Sequence, residues 1–411
     1  MLKLDLIQTV AFAGIVLYLG HALCRLVRPL SKYNIPAPVI GGLVMAFVNL
    51  AGKMASFNLF EFDMTLRDPL MIAFFTTIGF SASLSLLRVG GPQVLLFYAL
   101  ATAVVFLQNV LGIILTMPFK IHPLYGIISG SMTMTGGPAT AMAFGPVFEQ
   151  AGVPAASSVA LAAAIFGIIA GGLIGGPVAT LIISRRHLKK SKMPKEDLFL
   201  NQSSVPSVVR SAEEDITGEE TEEVIKARDF IKNIVVLLVA MGLGAWLSRL
   251  IASTGITLPA YIGAMLVAAA IRNFDDITHV LGLSEKMLET VGHASLALFL
   301  AMALMTLRLW ELAGLVLPLL IILVFQVILV AIVAIWPIFP LMGKDYDAAV
   351  MSGGFCGFAL GTTANAMANM KALVDRFGRA PRAFLVVPLV GAFFIDFTNA
   401  IIITLFLNLC R

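Results

Sequence analysis

Long apolar runs separated by short polar breaks dominate this 411-residue chain. A helix needs about 20 mostly apolar residues to cross a hydrocarbon core. By that measure spans are predicted near 5–27, 36–51, 68–87, 92–117 and 155–184. They recur near 230–251, 258–272, 287–307, 311–336 and 381–408. Two further stretches lie among these runs but are too polar and glycine-rich for ordinary spans. The first is Ser129-Gly-Ser-Met-Thr-Met-Thr-Gly-Gly-Pro-Ala-Thr-Ala-Met-Ala143. The second is Ser352-Gly-Gly-Phe-Cys-Gly-Phe-Ala-Leu-Gly-Thr-Thr-Ala-Asn-Ala-Met-Ala-Asn369. Backbone that leaves the helix within lipid must hydrogen-bond to protein or to a water-filled cavity. Both stretches therefore read as buried re-entrant hairpins, near 122–148 and 346–372, that line a solute path.

The hairpins resemble each other: Ala139-Thr-Ala-Met-Ala143 aligns with Ala364-Asn-Ala-Met-Ala368. Ile35-Pro-Ala-Pro-Val-Ile parallels Leu258-Pro-Ala-Tyr-Ile-Gly, and Gly172-Leu-Ile-Gly-Gly-Pro parallels Gly391-Ala-Phe-Phe-Ile-Asp. A repeat this long marks a duplicated membrane domain and not a solenoid unit. Each half holds five spans, an odd number, so the second half enters from the opposite face. The predicted fold is an all-α polytopic membrane protein made of two inverted five-span repeats, 1–184 and 230–411. A charged linker over 185–229 joins them.

Composition agrees. The chain is 59% hydrophobic and 13% charged, with mean hydropathy +0.95, against about 25% charge in a typical soluble domain. Residues 185–232 alone carry ten Lys/Arg and ten Asp/Glu. This segment reads as a solvated, partly disordered tether, with a docking role as the alternative. If the linker is cytoplasmic, seven of the 28 Lys/Arg fall outside: Lys3, Lys53, Arg67, Lys120, Arg249, Arg308 and Arg411. The remaining 21 fall inside, as the positive-inside rule requires. Both termini then lie outside. The first hairpin dips from outside and the second from inside. The stretch from Met1 to Val27 lacks a signal-peptide cleavage pattern and reads as an uncleaved first span. The net charge of +4 carries no nucleic-acid signal, because the basic residues sit at segment ends.

Chemistry narrows the function. Cys24, Cys356 and Cys410 give no disulfide framework. No HExxH, GxSxG, P-loop or paired catalytic acids occur, so an enzyme is not expected. A transported ion must exchange its water shell for protein ligands, and sodium, a hard cation, takes oxygen. Ser129, Ser131, Thr133, Thr135 and Thr140 in the first hairpin supply that type, as do Thr362, Thr363, Asn365 and Asn369 in the second. Gly136-Gly137-Pro138 is a breaker cluster. A helix starting near Pro138 would aim its free N–H groups at the hairpin tip, which suits a carboxylate. For any one Ser or Thr, close packing of small residues is the plainer explanation. Both hairpins together favour a site.

Asp396 lies in an apolar run, and an intramembrane carboxylate is costly. It is a candidate to neutralise a cation, accept a proton or hold a neighbouring helix. Thr398 and Asn399 could share its site. Gln108-Asn109 points to a helix–helix hydrogen bond, and Arg67-Asp68-Pro69 to a helix cap, with attraction of an anion as the alternative. The Gly171-Gly172 and Gly175-Gly176 surface points to tight helix packing.

With these motifs the chain resembles the bacterial glutamate:sodium symporter family. The resemblance rests on Phe62-Asp-Met-Thr-Leu-Arg-Asp-Pro-Leu-Met71, Leu298-Phe-Leu-Ala-Met-Ala-Leu-Met305, Tyr346-Asp-Ala-Ala-Val350 and Leu385-Val-Val-Pro-Leu-Val-Gly-Ala-Phe-Phe-Ile-Asp396. It implies sodium-coupled uptake of glutamate or a related small anionic amino acid or carboxylate. It also implies a homodimer with an elevator-like motion in the bacterial inner membrane, and no cofactor beyond Na+ as coupling ion. The tips depart from the family. Its usual Gly-Gly-His-Gly-Thr run stands here as Gly136-Gly-Pro-Ala-Thr140, and its Gly-His-Cys-Gly run as Gly354-Phe-Cys-Gly357. On these grounds Ser131, Thr133, Thr135, Gly136, Gly137, Thr140, Gly361, Thr362, Thr363 and Asn365 are the expected substrate residues. Asp396, Asn399, Thr398, Asn369 and Ser129 are the expected cation residues. The alternatives are proton coupling, a different carboxylate or amino acid, and a passive channel. The expected scaffold is the first, second, sixth and seventh spans.

Overall fold

The computed structural model describes residues 2–27, 35–55, 60–85, 91–188, 219–253, 259–312 and 314–410. Most of the expected linker, 189–218, lies outside them, as do Arg28, Lys32 and Arg88. In chain order the helices are α1 (Leu6–Leu26), α2 (Ala37–Met54), α3 (Arg67–Ser81), α4 (Gly91–Thr116), α5 (Leu124–Ile127), α6 (Gly137–Gln150), α7 (Ala156–Arg185) and α8 (Glu219–Ala252). They continue as α9 (Ala260–Thr278), α10 (Glu285–Met305), α11 (Val316–Val333), α12 (Tyr346–Ala359), α13 (Thr363–Phe377), α14 (Pro381–Leu389) and α15 (Ile395–Cys410).

Among the described residues, seven helices are long and apolar enough to cross a membrane. They match the first, second, fourth, fifth, sixth, eighth and ninth predicted spans. The other three are shorter or interrupted. The third is the 15-residue α3. The seventh, α9, ends in polar residues through Asp275. The tenth is split into α14 and α15 by a widened turn over Val390–Phe394. The chain is a multi-pass membrane protein. One small feature departs from an all-helical reading: Leu2–Leu4 and Phe60–Phe62 pair as two parallel strands. Phe60 and Phe62 pack on Phe12 of α1, at ring separations of 5.3 and 5.5 Å.

Local chemistry explains where several helices begin. Asp5 accepts from Gln8 N at 2.8 Å while the Gln8 side chain accepts from Asp5 N at 3.1 Å, a reciprocal cap for α1. Prolines at the first turn of α2, where an N–H would be unpaired anyway, start that helix. Asp345 accepts from Ala348 N at 2.9 Å and starts α12. The expected cap at Arg67-Asp68 does not form. Arg67 instead pairs with Asp68 at 2.8 Å, and α3 opens without a side-chain cap.

The helices pack in two groups. One contains α1–α3 and α8–α10, the other α4–α7 and α11–α15. The first group thus adds α3 and α10 to the four scaffold spans expected from sequence. The reason is close approach: a Cβ on Gly79 would lie 2.2 Å from Met265 O of α9, and one on Gly292 of α10 2.3 Å from Thr77 Oγ1 of α3. Gly171 and Gly175 serve the second group as predicted. A Cβ on Gly175 would meet Asn369 Nδ2 at 2.1 Å, and one on Gly171 would meet Gly357 O at 3.2 Å. Among the described residues nothing lies within 4 Å of such a Cβ on Gly176, so that glycine takes no part in this contact.

Candidate functional site

Both polar stretches form hairpins whose tips meet. In the first, α5 runs into a widened turn over Ile128–Met132, where Gly130 leaves helical geometry (φ −96, ψ −132). The chain turns at Thr135-Gly136 and re-enters α6 at Gly137, whose φ of +63 is one that residues with a Cβ rarely adopt. In the second, α12 stops at Ala359 and α13 starts after Thr362, which accepts from Asn365 N at 3.4 Å. A Cβ on Gly137 would lie 3.0 Å from Gly361 O and 3.6 Å from Thr362 Cγ2. The two tips are therefore in contact.

Side-chain amides hold this arrangement together. Gln108 of α4 donates to Ala359 O at 2.9 Å and accepts from Thr135 Oγ1 at 2.7 Å, so one residue links both tips. Gln326 of α11 donates to Gln108 O at 2.7 Å. Asn109 accepts from Ser131 N at 3.0 Å, and Asn399 donates to Ser131 O at 3.0 Å. Asn365 and Asn369 donate to Ile168 O and Gly171 O at 2.8 and 2.9 Å, fastening the second hairpin to α7. The bonds to Ser131 N, Ser131 O and Ala359 O satisfy backbone groups that the helix breaks would otherwise strand. The helix–helix bond expected of Gln108-Asn109 is present and does more than join helices.

A cavity of about 550 Å³ lies between the tips and the first helix group. Thr135, Gly136 and Pro138 line it from the first hairpin; Gly361, Thr362, Thr363 and Ala364 line it from the second. Asp396, on the first turn of α15, completes the tip side. α1, α2, α3 and α10 form the opposite wall. His21, Ala37, Ser81, Glu289 and His293 rim the cavity near one end of that group. Among the described residues, the titratable side chains lining it are His21, Glu289, His293 and Asp396, with no Lys or Arg.

The expected site residues thus separate. Thr135, Gly136, Gly361, Thr362, Thr363 and Asp396 share the cavity. Ser131 and Thr133 are fully buried behind the tip, and Thr133 donates to Ile128 O at 2.6 Å. Thr140 folds back on Gly136, Gly137 forms the tip contact, and Asn365 is taken up by Ile168. On the cation side, Thr398 bonds to Tyr98 and to Phe394 O. Asn369 lies against α7, and Ser129 and Asn399 are fully buried. The expected cation residues thus divide: Asp396 faces the cavity, Ser129 and Asn399 lie buried behind the first tip, and Asn369 lies against α7. His21, Glu289 and His293 were not singled out by sequence reasoning, because isolated polar residues in spans carry no spacing signal.

Among the described residues, several buried polar atoms of this network have no hydrogen-bond partner: Ser129 Oγ, Ser131 Oγ and Asn399 Oδ1 behind the first tip, and also Asn109 Nδ2, Gln326 Oε1 and Asn365 Oδ1. Such orphaned oxygens are rare in native interiors. They are the donor type a hard cation takes.

The sodium/glutamate symporter family model matches residues 2–379. The chain belongs to the sodium/glutamate symporter family. It is 41% identical to the sodium/glutamate symporter of Escherichia coli K12 over 413 residues, covering all of this chain and 99% of that one. It is 39% identical to the Haemophilus influenzae protein of the same name, over 96% and 95% of the two chains. The family match stops at residue 379, before α14 and α15, while the Escherichia coli relative covers them too.

Proposed function

We propose that this chain is a secondary active transporter that takes up glutamate, or a closely related anionic amino acid, driven by inward movement of sodium. The carrying observation is the cavity closed by two hairpin tips, in a chain whose full-length relatives are sodium/glutamate symporters. Unwound segments from two halves meeting at one solute-sized cavity is the usual plan of secondary transporters. The substrate sits against Thr135, Gly136, Gly361, Thr362 and Thr363. Its carboxylates face the N-terminal ends of α6 and α13, whose free N–H groups favour anions. Sodium sits behind the first tip, where Ser129, Ser131 and Asn399 offer unpaired oxygens. Of the other residues expected for the sites, Thr133, Thr140, Gly137 and Asn365 shape the tips, while Asn369 fastens the second hairpin to α7 and Thr398 joins α15 to Tyr98 of α4.

The same reading takes the halves 1–184 and 230–411 as inverted repeats and the segment between them as a cytoplasmic tether. Both termini then lie outside the inner membrane, and the cavity opens to the cytoplasm. A second, polar cavity of about 710 Å³, lined by Arg67, Tyr125, Glu149, Ser158 and Arg308, lies on the other side of the first hairpin. It marks the outer route. The second helix group moves against the first in an elevator-like stroke, with the first group forming the homodimer.

Uptake of labelled glutamate into proteoliposomes with and without an inward sodium gradient tests this. The expected result is accumulation above equilibrium only with the gradient. Equal uptake in both conditions would reject sodium coupling, and equilibration without accumulation would indicate a channel.

A further inference from the structure

We propose that Asp396 recognises the α-ammonium group of the substrate, and that the coupling ion binds elsewhere. The inference rests on the amino-acid transport reading above and assigns a role within that site. Asp396 lies on the wall of the tip cavity, partly exposed to it. It makes no hydrogen bond or ion pair with any described residue. The described residues do not offset the charge of this carboxylate, and such a group is costly within the membrane unless a ligand neutralises it.

The surroundings decide which ligand. Sodium requires several oxygens at once. The orphaned oxygens of Ser129, Ser131 and Asn399 are sealed from the cavity, at 0% exposure for all three residues. Asn399 is one helical turn beyond Asp396, yet it is fully buried, with its Nδ2 donating to Ser131 O, so its oxygen does not reach the cavity. Ile395, Gly391, Leu296, Ala297 and Leu300 line the same cavity, as do Thr362 and Thr363, whose hydroxyls are already engaged with Asn365 N and Gly391 O. An ammonium group needs only one anionic partner and reaches it through the cavity.

Charge bookkeeping agrees. Among the described residues no Lys or Arg lines the cavity. A dicarboxylate without an amino group would bring two negative charges beside Asp396 with no Lys or Arg among the described lining residues to offset them. Glutamate carries its own. Replacing Asp396 by a neutral amide removes one negative charge from the wall, so a doubly charged dicarboxylate in the variant restores the total that glutamate makes in the native protein. Glu289 is the competing carboxylate. It stands at the rim beside His293 at 3.4 Å, with its side chain 63% exposed, where water screens any preference.

The test compares glutamate with glutarate, the same five-carbon dicarboxylate lacking the amino group, in full-length protein in proteoliposomes. The native protein should prefer glutamate strongly. In Asp396→Asn the half-saturation concentration for glutamate should rise about 30-fold or more, the fold-change for losing one partner of a buried charge pair. Glutarate should become the better substrate, with the cooperativity of its sodium dependence unchanged. Equal weakening of both substrates, together with reduced sodium cooperativity, would make Asp396 a sodium ligand and overturn the proposal. So would a switch of preference in Glu289→Gln but not in Asp396→Asn. If Asp396→Asn carries neither substrate, Asp396→Glu decides: retained preference for glutamate supports the assignment, and lost preference rejects it. Failure of the broader reading is separately visible, as absent sodium-driven glutamate uptake by the native protein.

Discussion

Single residues at the tips carry sharp constraints. Gly137 combines a positive φ with a tip contact that a Cβ would press to 3.0 Å from Gly361 O. Gly137→Ala is expected to strain the turn by about 1–2 kcal/mol and to spread the tips. Glutamate uptake should fall at least tenfold while the detergent-purified protein stays monodisperse and folded. Uptake near the native rate would show that the tip contact does not shape the site. Gln108 is the second such residue, since its amide links Thr135 and Ala359. Gln108→Leu keeps the side-chain size but leaves Thr135 Oγ1 only its long 3.4 Å contact to Ala359 O and removes the cross-tip bond. The half-saturation concentration for glutamate should rise more than the maximal rate falls, because the loss is in positioning the tips. A pure fall in rate would place Gln108 in the stroke and not in the site. These residues were only half legible. Glycine, proline and threonine in an apolar run mark a break, and the tip positions followed from that. Which hydroxyl faces the cavity did not follow, because Ser131, Thr133 and Thr135 alternate around a widened turn whose geometry no short motif specifies.

Helices and hairpins were legible where the apolar pattern was long, and less so where polar atoms end an element. The spans over α1, α7 and α10 follow directly from run length. The splitting of the tenth span into α14 and α15 does not, since Val390–Phe394 stays apolar throughout the widened turn. α9 shows the other case, a span whose last turn is polar. There Asp275 accepts from the backbone N–H of Leu281, Gly282 and Leu283 at 2.7, 3.0 and 2.9 Å, closing the loop into α10. Burial alone would raise its carboxyl, but these three donors and the nearby Arg272 outweigh it and hold the group below the ordinary carboxylate value. A depressed group contributes stability above its unfolded pKa and loses it as pH falls through the lower, folded value. Thermal stability of the detergent-purified protein is therefore expected to fall on acidification below the ordinary carboxylate range. Asp275→Ala should lower stability at neutral pH by about 2 kcal/mol, because three N–H groups lose their acceptor. It should also flatten the acid limb. A variant as stable as the native protein at neutral pH would show that water replaces the carboxylate at no cost.

At the scale of the whole molecule, the two helix groups meet along a seam that the proposed stroke must shear. Phe144 of α6, in the second group, packs against Tyr261 of α9, in the first, with ring centroids 5.3 Å apart. Tyr261 also packs on Phe75 of α3 at 4.8 Å, so the aromatic pair joins the outer leg of the first hairpin to the opposite group. Shear is cheaper where packed side chains slide over one another than where hydrogen bonds must break. Much of this seam is apolar, while the amide network lies mainly inside the second group. This makes a definite mechanical prediction. In a variant with Cys24, Cys356 and Cys410 replaced by serine or alanine, Phe144→Cys and Tyr261→Cys together should be bridged by a short bifunctional maleimide. Bridging should abolish sodium-driven uptake, while glutamate still protects the tips from proteolysis or stabilises the protein thermally, because the cavity stays intact on one side. Single-cysteine variants treated in the same way supply the control for modification alone. Full uptake by fully bridged protein would mean that the groups need not move past each other at α6 and α9. The solute would then cross by opening of the hairpins alone, with the seam between the groups as a fixed interface.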